Sequence, residues 1–340
     1  MAGKRNHAID IARGIAMYSI VLGHLGQPSI NRIVFTYHLP IFYLISGYFF
    51  KDQGESYGKF IKYKGRRLLI PYYFTCLILC IIAIFASWRG GDLHQRLLKQ
   101  VLASLYGAGD RYEQPFKIYS IGAIWFLWAT FWGELFLKMA LKIKSKLRIV
   151  FIFVLFGLSV TTYKIIWLPL SIQAGMCALL FMYVGHLLRE YHDEISMVKT
   201  VDQAFFVVMA FFMWIYMIKN FKAFWLVHCE IGNGIVDIIG SLCGCSILYL
   251  LSKGIDQKIP FVSHFFSFFG RYSLLFLCIH IIELTFFPYA KVYPAFVHAT
   301  GMTTVSLLAF KIMIKMILIT LCVVITCRIP LIRKVYGYKK

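Results

Sequence analysis

The chain has 340 residues, of which 60% are hydrophobic and 17% aromatic, and its mean hydropathy is +0.71. These values exclude an ordinary soluble protein, in which close to half of the residues are apolar, and indicate a polytopic helical membrane protein. The net charge of +21 could suggest nucleic acid, but the basic residues gather in short loops between apolar stretches. We therefore expect anionic membrane lipids and an anionic cofactor as partners, and no nucleic acid.

Apolar stretches separated by polar segments predict an all-α bundle of about ten transmembrane helices. In chain order the predicted spans are 10–26, 33–50, 68–88, 119–137, 149–163, 171–188, 203–218, 231–252, 266–288 and 304–327. No polar stretch is long enough for a soluble domain, so residues 1–340 are expected to form a single integral membrane domain. We expect no cleaved signal, because the first seven residues are polar and basic and no small-residue cleavage site follows.

The distribution of charge predicts the orientation of the chain. With the N-terminus in the cytoplasm, the inner loops and tails hold more than twice as many lysines and arginines as the outer loops. Lys311 and Lys315 enter the last span from outside and are expected to snorkel outward. The charge pattern therefore predicts an even number of spans with both termini cytoplasmic.

The first predicted span carries three ionisable residues on one face. Arg13 and His24 are eleven residues apart, which returns to nearly the same side of a helix, and Asp10 joins them three residues before Arg13. The rise from Arg13 to His24 is roughly 16 Å, about half of a bilayer core. Ionisable groups in lipid cost about 2.5–3.5 kcal/mol each and usually face a functional cavity. The stripe therefore predicts a polar cavity.

A second histidine, His38, lies near the start of the next predicted span, at about the depth of His24. Histidine suits proton transfer because its ordinary pKa lies near neutral pH, so the two could be a general base and its partner. The alternative is a pair of hydrogen-bonded groups that pack two helices together. The spacing leaves both interpretations open.

Two further groups of polar residues allow a similar choice. Arg66 and Arg67, with Lys64, lie where the third span leaves the cytoplasm; guanidinium groups bind phosphate well, but their charge alone favours a simple membrane anchor. In the ninth span His280 and Glu283 are adjacent on one helix face, and they either line an active cavity or bond neighbouring helices. The nine cysteines lie mostly in apolar segments without metal-ligand spacing, so we expect packing residues and no metal site.

Taken in order, these segments resemble acyltransferase family 3, integral membrane proteins that include O-antigen and capsule O-acetyltransferases. Segment 9–16 followed by His24 fits the family's basic residue, ten intervening positions and histidine. The family's later blocks are similar to segments 35–42 with 46–48, 67–72, 125–127 and 270–274 with His280. The chain departs at Lys64, which occupies the first position of a pair of arginines three apart, and Arg66 could replace it. No fused esterase-like domain is expected after the last span.

The resemblance implies an O-acetyltransferase of the bacterial inner membrane, with cytosolic acetyl-CoA as donor and no permanently bound cofactor. The implied acceptor is a sugar hydroxyl of a surface polysaccharide or of its lipid-linked precursor. The alternative is a proton-coupled transporter using the same intramembrane charges, although the sequence shows no inverted repeat.

The resemblance also implies roles for individual residues. His24 would be the general base or a transient acyl carrier, in a catalytic centre with Arg13, Asp10 and His38. The phosphates of coenzyme A would contact Arg66, Arg67 and Lys64. The residues implied as lining of the cavity are Ser46, Tyr48, Trp125, Ser273, His280 and Glu283.

Overall fold

The computed structural model describes residues 6–52, 54–87, 92–113, 115–300 and 304–338, and most of these are helical. The helices are α1 His7–Gly23, α2 Pro28–Val34, α3 Pro40–Tyr48, α4 Tyr57–Ser87, α5 Leu93–Tyr106, α6 Trp125–Leu141, α7 Ser145–Thr162, α8 Ile172–Glu190, α9 His192–Ser196, α10 Thr200–Lys219, α11 Ile235–Lys258, α12 Pro260–Arg271, α13 Ser273–Phe286, α14 Tyr289–Thr300, α15 Thr304–Thr326 and α16 Pro330–Val335. Short 3₁₀ turns lie at Gly122–Ile124, Pro169–Ser171 and Leu226–His228. Two short strands, β1 Phe224–Trp225 and β2 Glu230–Ile231, pair antiparallel.

Within the described ranges, seven helices are long and apolar enough to cross a membrane. They are Tyr57–Ser87, Gly122–Leu141, Ser145–Thr162, Pro169–Glu190, Thr200–Lys219, Ile235–Lys258 and Ser306–Thr326. Helices α12 and α13 together would make an eighth span, bent by 78° at the break between them. The prediction of an all-α polytopic membrane protein is confirmed, whereas ten straight spans are not what the structure shows.

The two predicted spans that differ most are the first and the second. Helix α1 has 17 residues, or about 25 Å, which is shorter than a bilayer core of about 30 Å. Within the predicted span 33–50, α2 ends at Val34 and a new helix, α3, begins at Pro40. Pro40 lacks a backbone N–H and cannot donate to the carbonyl four residues earlier, which suits it to the first position of a helix.

Helices α1 and α12 touch through their backbones. A methyl group at Gly270 would overlap the carbonyl oxygen of Asp10, and one at Gly14 would overlap the carbonyl of Phe266. Small residues allow helices in membranes to approach this closely, and van der Waals packing then stabilises the pair. These contacts fix α1 against α12 near the level of Asp10 and Gly14.

Helices α3 and α8 cross in the same way. A methyl group at Gly47 would overlap the carbonyl oxygen of Met182, and one at Gly185 would overlap that of Leu44. Each helix thus contributes one glycine and one facing carbonyl to the contact. The reciprocal arrangement fixes α3, which carries Ser46, against the centre of the bundle.

Both ends of the described chain lie beside the bend between α12 and α13. The ring of Tyr338 packs against Tyr272 with 4.7 Å between ring centroids, and its hydroxyl accepts a hydrogen bond from the Leu275 N–H at 3.3 Å. Gly270, in the same bend, contacts Asp10 near the start of α1. Termini at one end of the bundle agree with an even number of crossings, and their cytoplasmic location stays a prediction from charge.

Candidate functional site

His24 directly follows α1, and its imidazole is oriented by the helix that precedes it. The Nδ1 atom lies 2.8 Å from the carbonyl oxygen of Ile20, one turn earlier. A carbonyl can only accept, so Nδ1 carries the hydrogen and Nε2 is left as the basic nitrogen. The residue is exposed at the end of the helix, so this basic nitrogen belongs to an accessible side chain.

The nearest ring to His24 is His280 on α13. The two ring centroids are 4.9 Å apart with planes at 75°, and His280 Nε2 lies 3.4 Å from His24 Nδ1. On its other side, His280 Nδ1 lies 3.2 Å from Glu283 Oε2. Because His24 Nδ1 bears a hydrogen, the facing Nε2 of His280 accepts and its Nδ1–H donates to the carboxylate. His280 is fully buried.

A lysine completes this series of contacts. The Nζ atom of Lys315, on α15, donates to Glu283 Oε1 at 3.2 Å and lies 4.0 Å from the ring centroid of Tyr289. Only 4% of Lys315 is exposed, so the prediction that it snorkels outward is wrong. The carboxylate offers a buried partner that compensates for the loss of hydration. We call His24, His280, Glu283 and Lys315 the histidine chain.

His38, predicted as the partner of His24, lies in the same region but in a different environment. Its Nδ1 donates to the Val34 carbonyl at 2.7 Å, and its ring centroid lies 5.1 Å from that of Phe35. The same phenylalanine packs against Gly23, the neighbour of His24. The two histidines are close enough to interact electrostatically, yet the ring in direct contact with His24 is His280.

Arg13 and Asp10 lie toward the other end of α1. Asp10 is buried, and Arg13 is half-buried with its guanidinium carbon 5.9 Å from the ring centroid of Phe49 at the end of α3. Eleven residues of helix place Arg13 about 16 Å from His24 along the axis. The predicted catalytic residues therefore occupy two levels of the bundle.

An ion pair at the Arg13 level was not anticipated from the sequence. Lys64 Nζ lies 2.8 Å from Glu134 Oε2 with both side chains largely buried, and Ser46 donates to the other carboxylate oxygen at 2.7 Å. The sequence signals this pair through an acidic residue, Glu134, within an apolar helix. Lys64 therefore already has an anionic partner inside the protein.

A second ion pair fixes the segment between α3 and α4. The ammonium of Lys138 is fully buried and lies 2.6 Å from Asp52 Oδ1 and 3.5 Å from Glu55 Oε1. The hydrogen bond from Lys138 lowers the pKa of Asp52. Arg189 donates to the Phe50 carbonyl at 3.2 Å. These contacts set the position from which α4, and with it Lys64, begins.

The two arginines predicted to bind the donor point to different surroundings. Both are exposed. Arg66 lines a surface groove of α4 together with Ile70 and Tyr73, a face suited to lipid. Arg67 interacts electrostatically with Tyr338, beside the bend between α12 and α13.

The predicted cavity-lining residues divide between the two levels. Ser46 and Tyr48 lie near the Lys64–Glu134 pair and Phe49. Ser273 begins α13, about 10 Å along the helix from His280. Trp125 is buried at the start of α6, on the side of the bundle that contacts the histidine chain.

Comparison with known proteins identifies the family. The profile of a family described as an acyltransferase domain matches residues 6–330, nearly the whole chain. The chain belongs to acyltransferase family 3. The nodulation protein NolL of Sinorhizobium fredii is 26% identical over an alignment of 152 residues, with coverage of 41% of this chain and 37% of that protein. The matched region thus spans little more than a third of this relative. No solved structure matches the chain.

The order of segments that resembles acyltransferase family 3 is thereby explained by membership. Among the described residues, no group of three or more histidine, cysteine or acidic side chains is arranged to hold a metal ion. The nine cysteines are free thiols, most of them buried. The polar groups that the fold gathers are the histidine chain at one level of this acyltransferase and the Lys64–Glu134 pair at the other.

Proposed function

We propose that this acyltransferase moves an acetyl group from cytosolic acetyl-CoA to a sugar hydroxyl of a bacterial surface polysaccharide, or of its lipid-linked precursor. The polysaccharide would be an O-antigen, a capsule or an exopolysaccharide, modified at the inner membrane. The observation that carries the proposal is the exposed His24 imidazole, whose Nδ1 faces the buried His280 and, through it, Glu283. Membership of the family supports acyl transfer, and the resemblance of its blocks supports acetyl-CoA and the glycan.

The proposed reaction begins with proton transfer to His24. Its Nε2 accepts the proton of the acceptor hydroxyl as that oxygen attacks the thioester carbonyl carbon. The imidazolium that forms keeps its Nδ1–H directed at Ile20 and His280. The carboxylate of Glu283 accepts from His280 Nδ1–H and so keeps His280 Nε2 directed at His24, an orienting role like that of the acid of a catalytic triad.

The second half of the reaction returns the proton. When the tetrahedral intermediate collapses, the carbon–sulfur bond breaks and the imidazolium gives its proton to the departing thiolate. The products are the acetyl ester and free coenzyme A, and His24 is neutral again. Attack by His24 itself on the thioester is the other route, and it would leave an acetyl-imidazole that the acceptor then consumes.

The donor end of the proposed site is the level of Arg13. Coenzyme A is anionic and cytosolic, and Arg13, Arg66 and Arg67 supply positive charge at this end of the bundle. The phosphates would stay at the surface while the thioester extends along α1 toward His24. An acceptor on the far side could then be acetylated without coenzyme A crossing the membrane.

The test of the proposal is His24→Ala in cells that make the acceptor polysaccharide, with the protein quantified in the membrane fraction. Loss of a general base should lower O-acetylation by about 10²–10⁴-fold. His264→Ala is the matched control, because that exposed histidine also directs Nδ1 at the carbonyl four residues earlier but lies outside the histidine chain. Wild-type O-acetylation by a normally expressed His24→Ala protein would contradict the proposal.

The two routes and the cation requirement have separate tests. Labelled acetyl-CoA without acceptor should leave label on the wild-type protein only if His24 carries the acetyl group. Arg13→Ala should abolish transfer, whereas Arg13→Lys should keep part of it because the family pattern accepts either cation. Full activity of Arg13→Ala would show that Arg13 is not part of the donor site.

A further inference from the structure

A second histidine–carboxylate pair lies outside the histidine chain. His228 Nε2 is 3.0 Å from Asp110 Oδ2, and the Arg111 backbone N–H donates to the other oxygen at 2.8 Å. His228 belongs to the short turn between β1 and β2. Half of the Asp110 side chain is exposed, and its pKa is lowered mainly by the hydrogen bond from His228. The carboxylate is thus oriented, ionised and accessible.

Aromatic rings surround this pair. The ring of His228 meets Trp167 at 5.2 Å between centroids and Trp225 at 5.6 Å, both nearly edge to face. Tyr112 packs against Trp167 with 5.0 Å between ring centroids. Trp225 is 42% exposed, so one indole offers its surface beside an ionised carboxylate. We call Asp110, Tyr112, Trp167, Trp225 and His228 the outer aromatic cap.

A hydrogen bond fixes one residue of the cap, and the backbone next to the cap is strained. Tyr112 donates to the Tyr163 carbonyl at 3.0 Å. Leu170, Ser171 and Cys229 have φ angles of 56°, 51° and 53°, in the left-handed region that residues other than glycine avoid. Such strain persists where neighbouring contacts fix the chain, and it is common at binding sites.

The outer aromatic cap covers the end of the bundle where the histidine chain lies. Gly109, beside Asp110, packs tightly between Trp125 and Val227. Gly122, at the end of the same segment, packs against Ile281, the residue that follows His280. The segment that carries Asp110 and Tyr112 therefore also contacts α13 next to His280.

We propose that the outer aromatic cap binds a neutral oligosaccharide segment of the glycan acceptor, an inference that rests on the proposed function. The apolar face of a sugar ring would pack on Trp225, and its hydroxyl groups would donate to Asp110, which His228 keeps in place. The carboxylate would repel an anionic group, which disfavours coenzyme A or a lipid phosphate as occupant.

The experiment uses the purified full-length protein in detergent, with an array of neutral hexose and N-acetylhexosamine oligosaccharides as the probe. The wild type should bind at least one of these glycans. Trp225→Ala and Asp110→Asn should each weaken binding by about tenfold or more, the scale of one hydrogen bond to a charged group. Glu113→Gln is the control, since this exposed carboxylate of the same segment pairs with Lys117 at 3.8 Å and not with the cap.

Two results would overturn this inference: no glycan bound by the wild type, or equal binding by the wild type, Trp225→Ala and Asp110→Asn. The melting temperature reports whether Trp225→Ala is folded. If that variant does not fold, Asp110→Asn still tests the inference, because asparagine has the same shape as aspartate. His24→Ala should bind glycan normally and lose only transfer. Failure of the proposed function would instead appear as glycan binding by a wild-type protein that transfers no acetyl group.

Discussion

His24 and His280 meet edge to face, with Nδ1 of the first 3.4 Å from Nε2 of the second, although 256 positions separate them in the chain. One ring is accessible and the other is fully buried. A single imidazole, that of His280, therefore separates the accessible ring of His24 from the carboxylate of Glu283. This relationship makes Glu283 a positioning residue whose effect can be separated from folding.

Glu283→Gln should lower kcat about 100-fold while the KM for acetyl-CoA changes little, because the amide keeps the shape of the side chain but accepts the His280 Nδ1–H less strongly than a carboxylate and so orients that ring less well. The variant also leaves Lys315 buried without its anionic partner, which destabilises the protein. Adding Lys315→Met should restore the melting temperature and leave kcat low. A double variant that regains activity together with stability would show that Glu283 has only a structural role.

The sequence predicted contacts within helices better than contacts between them. The adjacency of His280 and Glu283 follows from their spacing of three residues, and the structure has it. The pairing of His24 with His280 depends on the 78° bend between α12 and α13, which no local pattern indicates. Lys315 was expected outside because its partner lies on another helix.

The break at Pro40 illustrates the same limit at the level of the fold. Hydropathy predicts one span over 33–50, but the helix is interrupted before that proline. The close contacts of Gly270 and Gly47 likewise depend on which helices become neighbours. Composition therefore predicted the class of protein, while tertiary packing decided the count of spans and the partners within the site.

Gly270→Ala should destabilise the protein strongly, because the added methyl would overlap the Asp10 carbonyl and force α1 away from α12. Overpacking of this kind costs about 1–3 kcal/mol or more. Gly254→Ala is the control: a methyl there meets no atom within 4 Å, and alanine in a helix is favoured by about 1 kcal/mol. Thermal unfolding in detergent should give a melting temperature below that of the wild type for Gly270→Ala and above it for Gly254→Ala. Equal melting temperatures of the two variants would contradict the close crossing of α1 and α12.

Lys64→Met should cost about 3–5 kcal/mol, because it leaves the buried carboxylate of Glu134 without its counter-ion. The double variant Lys64→Met and Glu134→Gln should recover most of that loss, since no uncompensated charge is left. Lys117→Met is the control, as its pair with Glu113 is exposed and should contribute less than about 1 kcal/mol. Additive losses in the double variant would show that Lys64 and Glu134 stabilise the fold independently.

Replacing Arg66 and Arg67 together by alanine should raise the KM for acetyl-CoA about tenfold or more, with a smaller effect on use of the acceptor, since each charged hydrogen bond to phosphate is lost. Of the single variants, Arg67→Ala should have the larger effect, because Arg66 lines the apolar groove of α4. Lys62→Ala removes an equal charge from that groove and serves as the control. Unchanged acetyl-CoA binding by the purified double variant would show that Arg66 and Arg67 only help to orient the chain in the membrane.

Cysteines introduced at Ser29 and Ser56 should be labelled from opposite sides of the membrane. Both serines are exposed; Ser29 follows His24 by five residues, and Ser56 precedes α4 beside the segment that Lys138 anchors. The nine native cysteines must first be replaced, with retained activity as the control. An impermeant maleimide should then reach Ser29→Cys in intact cells and Ser56→Cys only after permeabilisation, because the basic loops favour the cytoplasm.

The same labelling decides the route of the acetyl group. If Ser56 is cytoplasmic, Arg13 and Arg67 face the acetyl-CoA pool while His24 and the outer aromatic cap face the other leaflet. The thioester must then reach into the bundle along α1, and the acceptor is modified after it has crossed the membrane. Reversed labelling would place His24 on the cytoplasmic side, where acceptor and donor could meet without this path, and would overturn both the orientation and the route.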